Sequence, residues 1–432
     1  VKPHKRKKRR KQIELSENLE REKHIHEISK EDRICECCGE IKGEIGEEIR
    51  EKLDIIPAKA TVRQDVYKKY GCRNSNCDGK PQQAPAVPVA IPKIKATSAV
   101  LAFIAVQKYL YSVPLYRLEH LFKSCGASLS RYVMSLWMIK LANAFKPIYE
   151  ALDEQLLSGD YLHMDETTLQ VLNEAGKRAT SKSYMWLRTN GGSRSPPIVL
   201  YHYSESRSGE VAKKLLEGFS GYLQTDDFSG YASALKNRSD IIHLLCWDHT
   251  RRYFWEAYQS IDKKKRSNTL AERALKLIKK LYKIEETTKN LSDEERKERR
   301  LKESIPVLNK LRDLCTEKLP GLSMKSHTAR AINYMFDNWD ELLIYTTDGK
   351  LNISNSPAEQ KIRPFAVGRK NWLFSKTPSG ATASAILYSI VQTAIANGID
   401  PHTYITSTLE KLPFVHTNDD LHKLLPIKQM MH

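Results

Sequence analysis

The hydrophobic pattern changes period along the chain. Residues 95–157 carry helical spacing: Leu101, Ile104, Ala105 and Lys108 share one stripe, and Val133, Leu136, Trp137 and Lys140 another. Between them Ser124-Cys125-Gly126-Ala127 reads as a tight turn, which makes 115–142 a helix-turn-helix candidate. Two packed helices of an ordinary bundle are the alternative. From Gly159 the period drops to two. Strands are predicted at 161–171, 183–188 and 197–203, a helix at 210–219, and further strands at 221–225 and 241–247. From 257 to about 340 the chain is charge-rich and helical, with no strand signal. A short helix near Ser356 and helices at 381–396 and 401–412 follow.

This β-β-β-α-β-α-β order predicts an α/β fold with a ribonuclease-H-like core interrupted by a helical insertion. The core is expected at 158–256 and 349–400, the insertion at 257–348 and a helical tail at 401–432. Ahead of it lie a basic arm (1–30), a cysteine-bearing module (31–80), a linker (81–94) and the helical region (95–157). Pro81, Pro85, Pro88 and Pro92 make that linker extended.

Charge narrows the partners. The 432 residues hold 70 Lys+Arg against 52 Asp+Glu, a net charge of +18. Such a surplus favours a polyanion, because each cation beside a phosphate releases condensed counterions. Charge alone leaves RNA and membrane surfaces open. Residues 2–11 read Lys-Pro-His-Lys-Arg-Lys-Lys-Arg-Arg-Lys, a stretch that cannot bury itself and is expected to be disordered. The most apolar run, 99–106, stops at Gln107 and Lys108, well short of a span of about 20 residues. No signal peptide is read, and a start on Val1 points to a missing or alternative beginning. A cytoplasmic, nucleoid-associated protein is expected.

Five of the eight cysteines fall within the first 77 residues. Cys35-x-x-Cys38-Gly39 resembles half of a zinc knuckle, and Cys72 with Cys77 supplies a second pair. Four thiolates would close a tetrahedral structural Zn²⁺ site and staple a module with little core. Cys37 competes with Cys38.

Three carboxylates carry the candidate chemistry. Alternation puts His163 and Asp165 on one strand face and Leu162 and Met164 on the other. Asp226 ends the fourth strand, with Asp227 turned the opposite way. Glu359 lies in Asn355-Ser356-Pro357-Ala358-Glu359, which also reads as a capping box that uses the carboxylate locally. Pro364 is expected to end or kink the helix. In-line displacement at phosphorus builds charge on the entering and leaving oxygens. Two Mg²⁺ (or Mn²⁺) ions about 3.5–4 Å apart, held by three carboxylates, stabilise both.

Several strings resemble the transposases of the bacterial insertion-sequence-66 family. They are His163-Met164-Asp165-Glu166-Thr167, Tyr203-Ser204-Glu205-Ser206-Arg207-Ser208-Gly209 and Leu223-Gln224-Thr225-Asp226. Further on come Cys246-Trp247-Asp248-His249-Thr250-Arg251-Arg252, Ala358-Glu359-Gln360-Lys361-Ile362-Arg363-Pro364 and Gly368-Arg369-Lys370-Asn371-Trp372-Leu373-Phe374. The resemblance implies a ribonuclease-H-like fold, an Asp165–Asp226–Glu359 triad, an amino-terminal zinc domain and metal-dependent strand transfer of double-stranded DNA. It also implies a homo-oligomer on DNA and element-encoded accessory proteins. Ser354, Asp227 and Gln360 depart from the family's usual residues.

Cys246-x-x-His249 resembles a signature of transposases with a helical insertion, so His249 is read as a structural or substrate-positioning residue. Zinc on that pair is disfavoured, since only two ligands are present. Arg251, Arg363, Arg369 and Lys370 are expected to meet phosphates, the last three from beyond the Glu359 helix. Trp372 and Phe374 either stack on a base or pack. A catalytically inactive DNA-binding remnant and a nuclease or integrase of the same fold are the alternatives.

Overall fold

The computed structural model describes residues 16–53, 59–71, 80–191 and 195–428. Cys72, Cys77 and the basic run 2–11 lie outside them. The chain divides in sequence into two compact units, 1–62 and 63–432.

The described residues of the first unit are mostly irregular, with one 3₁₀ turn at Glu31–Arg33. A further ordered feature is a turn in which Ile34 bridges Ile41, and the Cys35 N–H donates to Glu40 O at 2.8 Å. Gly39 takes φ +75°, a conformation that favours a residue without Cβ, and its N–H donates to Cys35 O at 2.8 Å.

The second unit is built on a five-stranded mixed sheet. Its strands are β1 (Tyr161–Gln170), β2 (Lys182–Asn190), β3 (Val199–Ser204), β4 (Gly221–Thr225) and β5 (Ile241–Leu245). The spatial order is β3-β2-β1-β4-β5. β1–β2 and β2–β3 pair antiparallel, whereas β1–β4 and β4–β5 pair parallel. The linker stretch contributes a two-residue ladder, Lys69–Tyr70 with Gln82–Gln83.

Three helices precede the sheet: α1 (Ser98–Tyr109), α2 (Leu115–Ser124) and α3 (Arg131–Leu157). The second stripe predicted from sequence is displaced on α3. Met134, Met138, Leu141 and Phe145 form its buried face, while Leu136 is exposed. Spacing alone does not decide between adjacent stripes when the helix is apolar on several sides.

α4 (Gly209–Leu215) and α5 (Ser229–Leu235) flank β4 in sequence, and α5 packs Tyr231 edge-on against Trp186 of β2. The helical stretch opens at once after β5 with α6 (Trp247–Gln259), so the fifth strand ends at Leu245 rather than 247. It continues through α7 (Leu270–Thr287), α8 (Asp293–Arg299), a π-helical turn Arg300–Ser304 and α9 (Ile305–Lys318). α10 (His327–Asp337) and α11 (Trp339–Leu343) complete it. Its apolar faces join Leu244, Leu245 and Trp247 in a core of their own. Arg300, fully buried, anchors the stretch by pairing with Glu285 and donating to Tyr345 O, Asp348 O and Leu351 O.

The chain then returns through α12 (Ser356–Trp372), α13 (Pro378–Ala396), α14 (Pro401–Lys411) and α15 (Asn418–His422). α12 packs on β1 and β2, and α13 on β3 and α3. α12 continues past Pro364, which neither ends it nor shortens it to the brief helix expected. Ile362 and Phe365, buried on either side of Pro364, hold that turn down by packing.

A candidate carboxylate metal centre

The sheet register brings the first two acids together. Parallel pairing sets Tyr161 beside Tyr222, Leu162 beside Leu223 and His163 beside Gln224. The pairing stops there and β4 ends at Thr225, so Asp226 lies just past its strand, close enough for its charge to act on Asp165. Asp165 lies inside β1 and is mostly enclosed. Burial, then the negative charges of Glu166, Asp226 and Glu359, push its carboxyl up to about 8. Asp226 has one carboxylate oxygen, Oδ1, buried without a hydrogen-bond partner among the described residues. Asp227 accepts from Asn338 Nδ2 at 3.1 Å.

Glu359 arrives from the first turn of α12. Asn355 is the N-cap, and no side chain caps the helix. The capping-box alternative is therefore not formed, because Ser356 is already helical and its Oγ accepts from Gln360 instead. The Glu359 carboxylate is thus not used by a capping box of its own helix.

A buried polar network holds this helix start in register. The Asn355 amide donates to Met164 O at 2.8 Å, and its Oδ1 lies 2.9 Å from His163 Nδ1. Its backbone N–H donates to Cys246 Sγ at 3.1 Å. Asn352 Nδ2 lies 3.2 Å from His163 Nε2, and Gln224 donates to Asn352 O at 2.9 Å. Burial takes His163 down to about 4, so it serves as a neutral hydrogen-bonding ring.

Glu166, Arg207 and Tyr231 were missed by sequence reasoning. Glu166 lies next to Asp165 but pairs with Arg207 (Nε to Oε1, 2.6 Å) and accepts from Tyr231. Arg207 also stands 3.8 Å from Asp226 and 3.7 Å over the Phe228 ring. Glu166 and Arg207 sit in two of the strings that carry the family resemblance, which was the available signal. A cavity of about 380 Å³ opens beside them, lined by Asp226, Asp227, His249, Arg252, Tyr253 and Tyr334 among others.

The expected phosphate contacts divide. Arg363 and Lys370 are exposed, on α12 rather than beyond it. Arg369 is turned inward and donates to the Thr168 backbone oxygen and, at 2.8 Å, to its Oγ1. Arg251 pairs with Asp248 at 3.1 Å. Trp372 packs edge-on against Phe365, and Phe374 is exposed. His249, on α6, has its Nδ1 buried with no partner among the described residues.

In the first unit, the Cys37 and Cys38 N–H groups hold the Cys35 thiol below its ordinary range. That arrangement suits a thiolate ligand.

Sheet and helices define a mixed α/β protein, in which Asp226 and Glu359 both act electrostatically on Asp165 of β1. The chain matches the family model of the IS66 transposase over 93–383 and that of the IS66 C-terminal element over 389–427. The zinc-finger binding domain of transposase IS66 matches over 32–74. It is 31% identical over 416 residues to the uncharacterized protein y4qI of Sinorhizobium fredii, covering 93% of this chain and 75% of that one. It is 30% identical over 409 residues to y4jD of the same organism, covering 92% and 78%. The chain belongs to the IS66 transposase family, which implies a DNA-processing, DNA-binding protein.

Proposed function

We propose that the protein is a DNA transposase whose reaction centre is Asp165, Asp226 and Glu359 on a ribonuclease-H-like core. The observation that carries this is the enclosed carboxylate cluster itself. Burial and like charges lift Asp165 far above the ordinary carboxylate range, and Asp226 keeps an unpartnered buried oxygen. Such an arrangement is relieved either by a proton on Asp165 or by cations that complete it, and the second supports a metal centre. The donors are hard carboxylate oxygens, which fit Mg²⁺ or Mn²⁺. Two such ions, when bound, supply an activated water or 3′-hydroxyl and stabilise the leaving oxygen.

The chain's own residues do the rest. β1 and β4 fix Asp165 and Asp226, and the Asn355 network fixes Glu359. Arg207, itself clamped by Glu166, offers positive charge beside Asp226, where a scissile phosphate would lie. Arg363 and Lys370 face solvent and suit phosphates of flanking DNA. His249 lines the adjoining cavity and positions substrate. The departures Ser354, Asp227 and Gln360 bond elsewhere: to Ser356, to Asn338 and to Ser356 respectively. The strand order β3-β2-β1-β4-β5 with a helical insertion after β5 supports the ribonuclease-H-like reading. In the amino-terminal module, Zn²⁺ on Cys35, Cys38, Cys72 and Cys77 is part of the same reading, as are a homo-oligomer on DNA and accessory proteins. Metal analysis of protein purified under reducing conditions should return zinc.

The test is strand cleavage and transfer with Mg²⁺ and DNA bearing the element ends. Asp165→Ala and Glu359→Ala should each lower the rate by at least about 10³-fold, roughly 4 kcal/mol of transition-state stabilisation. Unchanged cleavage in either variant rejects the triad. Wild-type protein that binds ends without nicking them rejects the enzyme.

A further inference from the structure

Cys246, His249 and Glu359 converge although they belong to different elements. One ligand atom from each lies within 4.8 Å of the other two. We infer that these three side chains form a soft-metal site, for Zn²⁺ or a similar ion, which competes for Glu359 with the hard-metal cluster. The inference rests on the transposase reading only for its consequence; the site itself stands on geometry.

A thiol, an imidazole and a carboxylate are the donor types that Zn²⁺ takes, and three protein ligands leave a fourth position open. Tetrahedral bonds of about 2.0–2.3 Å put ligand atoms about 3.5 Å apart, so rotation of Glu359 closes the set. Two features prepare it. The Asn355 N–H already points at Cys246 Sγ, at 3.1 Å, a contact that supports a coordinated thiolate. His249 Nδ1 is buried with no partner among the described residues. Coordination would release the Cys246 proton to solvent as the S–metal bond forms.

Glu359 is the hinge of the arrangement. Its charge acts on Asp165 on one side and on Cys246 and His249 on the other. Swung to the soft site, it leaves Asp165 and Asp226 with two carboxylates in place of three. Zinc would then silence the reaction centre reversibly.

Co²⁺ is the probe, since a thiolate ligand gives it a sulfur-to-metal charge-transfer band. The full chain, with its amino-terminal cysteines loaded with zinc, is titrated beside Cys246→Ser and His249→Ala, each checked for folding by circular dichroism. Wild type should take up one thiolate-bound ion that Cys246→Ser lacks, and His249→Ala should weaken it at least about tenfold. Equal spectra and stoichiometry in wild type and both variants overturn the site. In Mg²⁺-supported cleavage, Zn²⁺ should inhibit wild type, with the midpoint raised at least about tenfold in Cys246→Ser. An unshifted midpoint overturns the competition. A wild type that cleaves no DNA rejects the transposase reading, and the cobalt spectra still decide the site.

Discussion

Asp165 shows what one enclosed carboxyl does to a fold. In the metal-free protein its pKa is raised from 3.8 to about 8, so across that interval the folded chain holds a proton that the unfolded chain has released. Stability from this group is therefore present at low pH and is lost as pH rises toward about 8. Denaturation midpoints measured with a chelator should fall over that window, and fall less steeply in Asp165→Asn. Parallel slopes would remove Asp165 as the source. Divalent ions bind the ionised form, so stabilisation by Mg²⁺ should grow with pH over the same range. Asn355 works differently, by position. It is 1% exposed and bonds Met164, His163 and Cys246 at once. Asn355→Ala should cost about 1–3 kcal/mol and lower kcat more than it raises KM, because Glu359 loses its fixed origin. A rise in KM alone would show that Asn355 serves substrate binding instead.

The elements explain which of these features the sequence disclosed. The strands were legible because alternation at the start of β1 and the short, largely apolar run of β5 survive in the primary pattern. The placement of Asp165 on β1 was legible with them, and Asp226 was expected at the end of β4 but follows it by one residue. α12 was not, because Pro364 and the Ser356/Glu359 spacing both carry local meanings that packing overrides. Arg369 looked like a loop cation for the same reason, and a longer helix turned it onto Thr168. The grouping of Cys246, His249 and Glu359 was beyond any local rule, since β5, α6 and α12 meet only in the folded chain. α12 also carries a packing constraint. A Cβ on Gly368 would stand 2.6 Å from the Tyr388 hydroxyl and 3.1 Å from Ser112 Oγ. Gly368→Ala should therefore destabilise by about 1–3 kcal/mol, read as a lowered melting midpoint. A neutral result would mean that α12 and α13 separate freely.

Over the whole molecule, acidic chemistry sits inside a basic protein. The chain carries a net charge of +18, and a polyanionic substrate would bring that surplus and the proposed carboxylate centre into one use. No helix among the described residues is long and apolar enough to cross a membrane. Binding to DNA should accordingly weaken as salt rises, with log K falling linearly against log salt. The residues Lys2, Lys5, Arg6, Lys7, Lys8, Arg9, Arg10 and Lys11 concentrate charge in one short run. Each that meets a phosphate adds about 0.9 to the slope. Removing residues 2–11 should reduce the slope by several units while leaving the Mg²⁺ requirement of cleavage unchanged, because the carboxylate centre lies elsewhere in the chain. Fluorescence anisotropy across a salt series separates the two effects. A slope that does not move on deletion would assign the phosphate contacts to the helical and α12 surfaces, and the basic run would then serve something other than DNA.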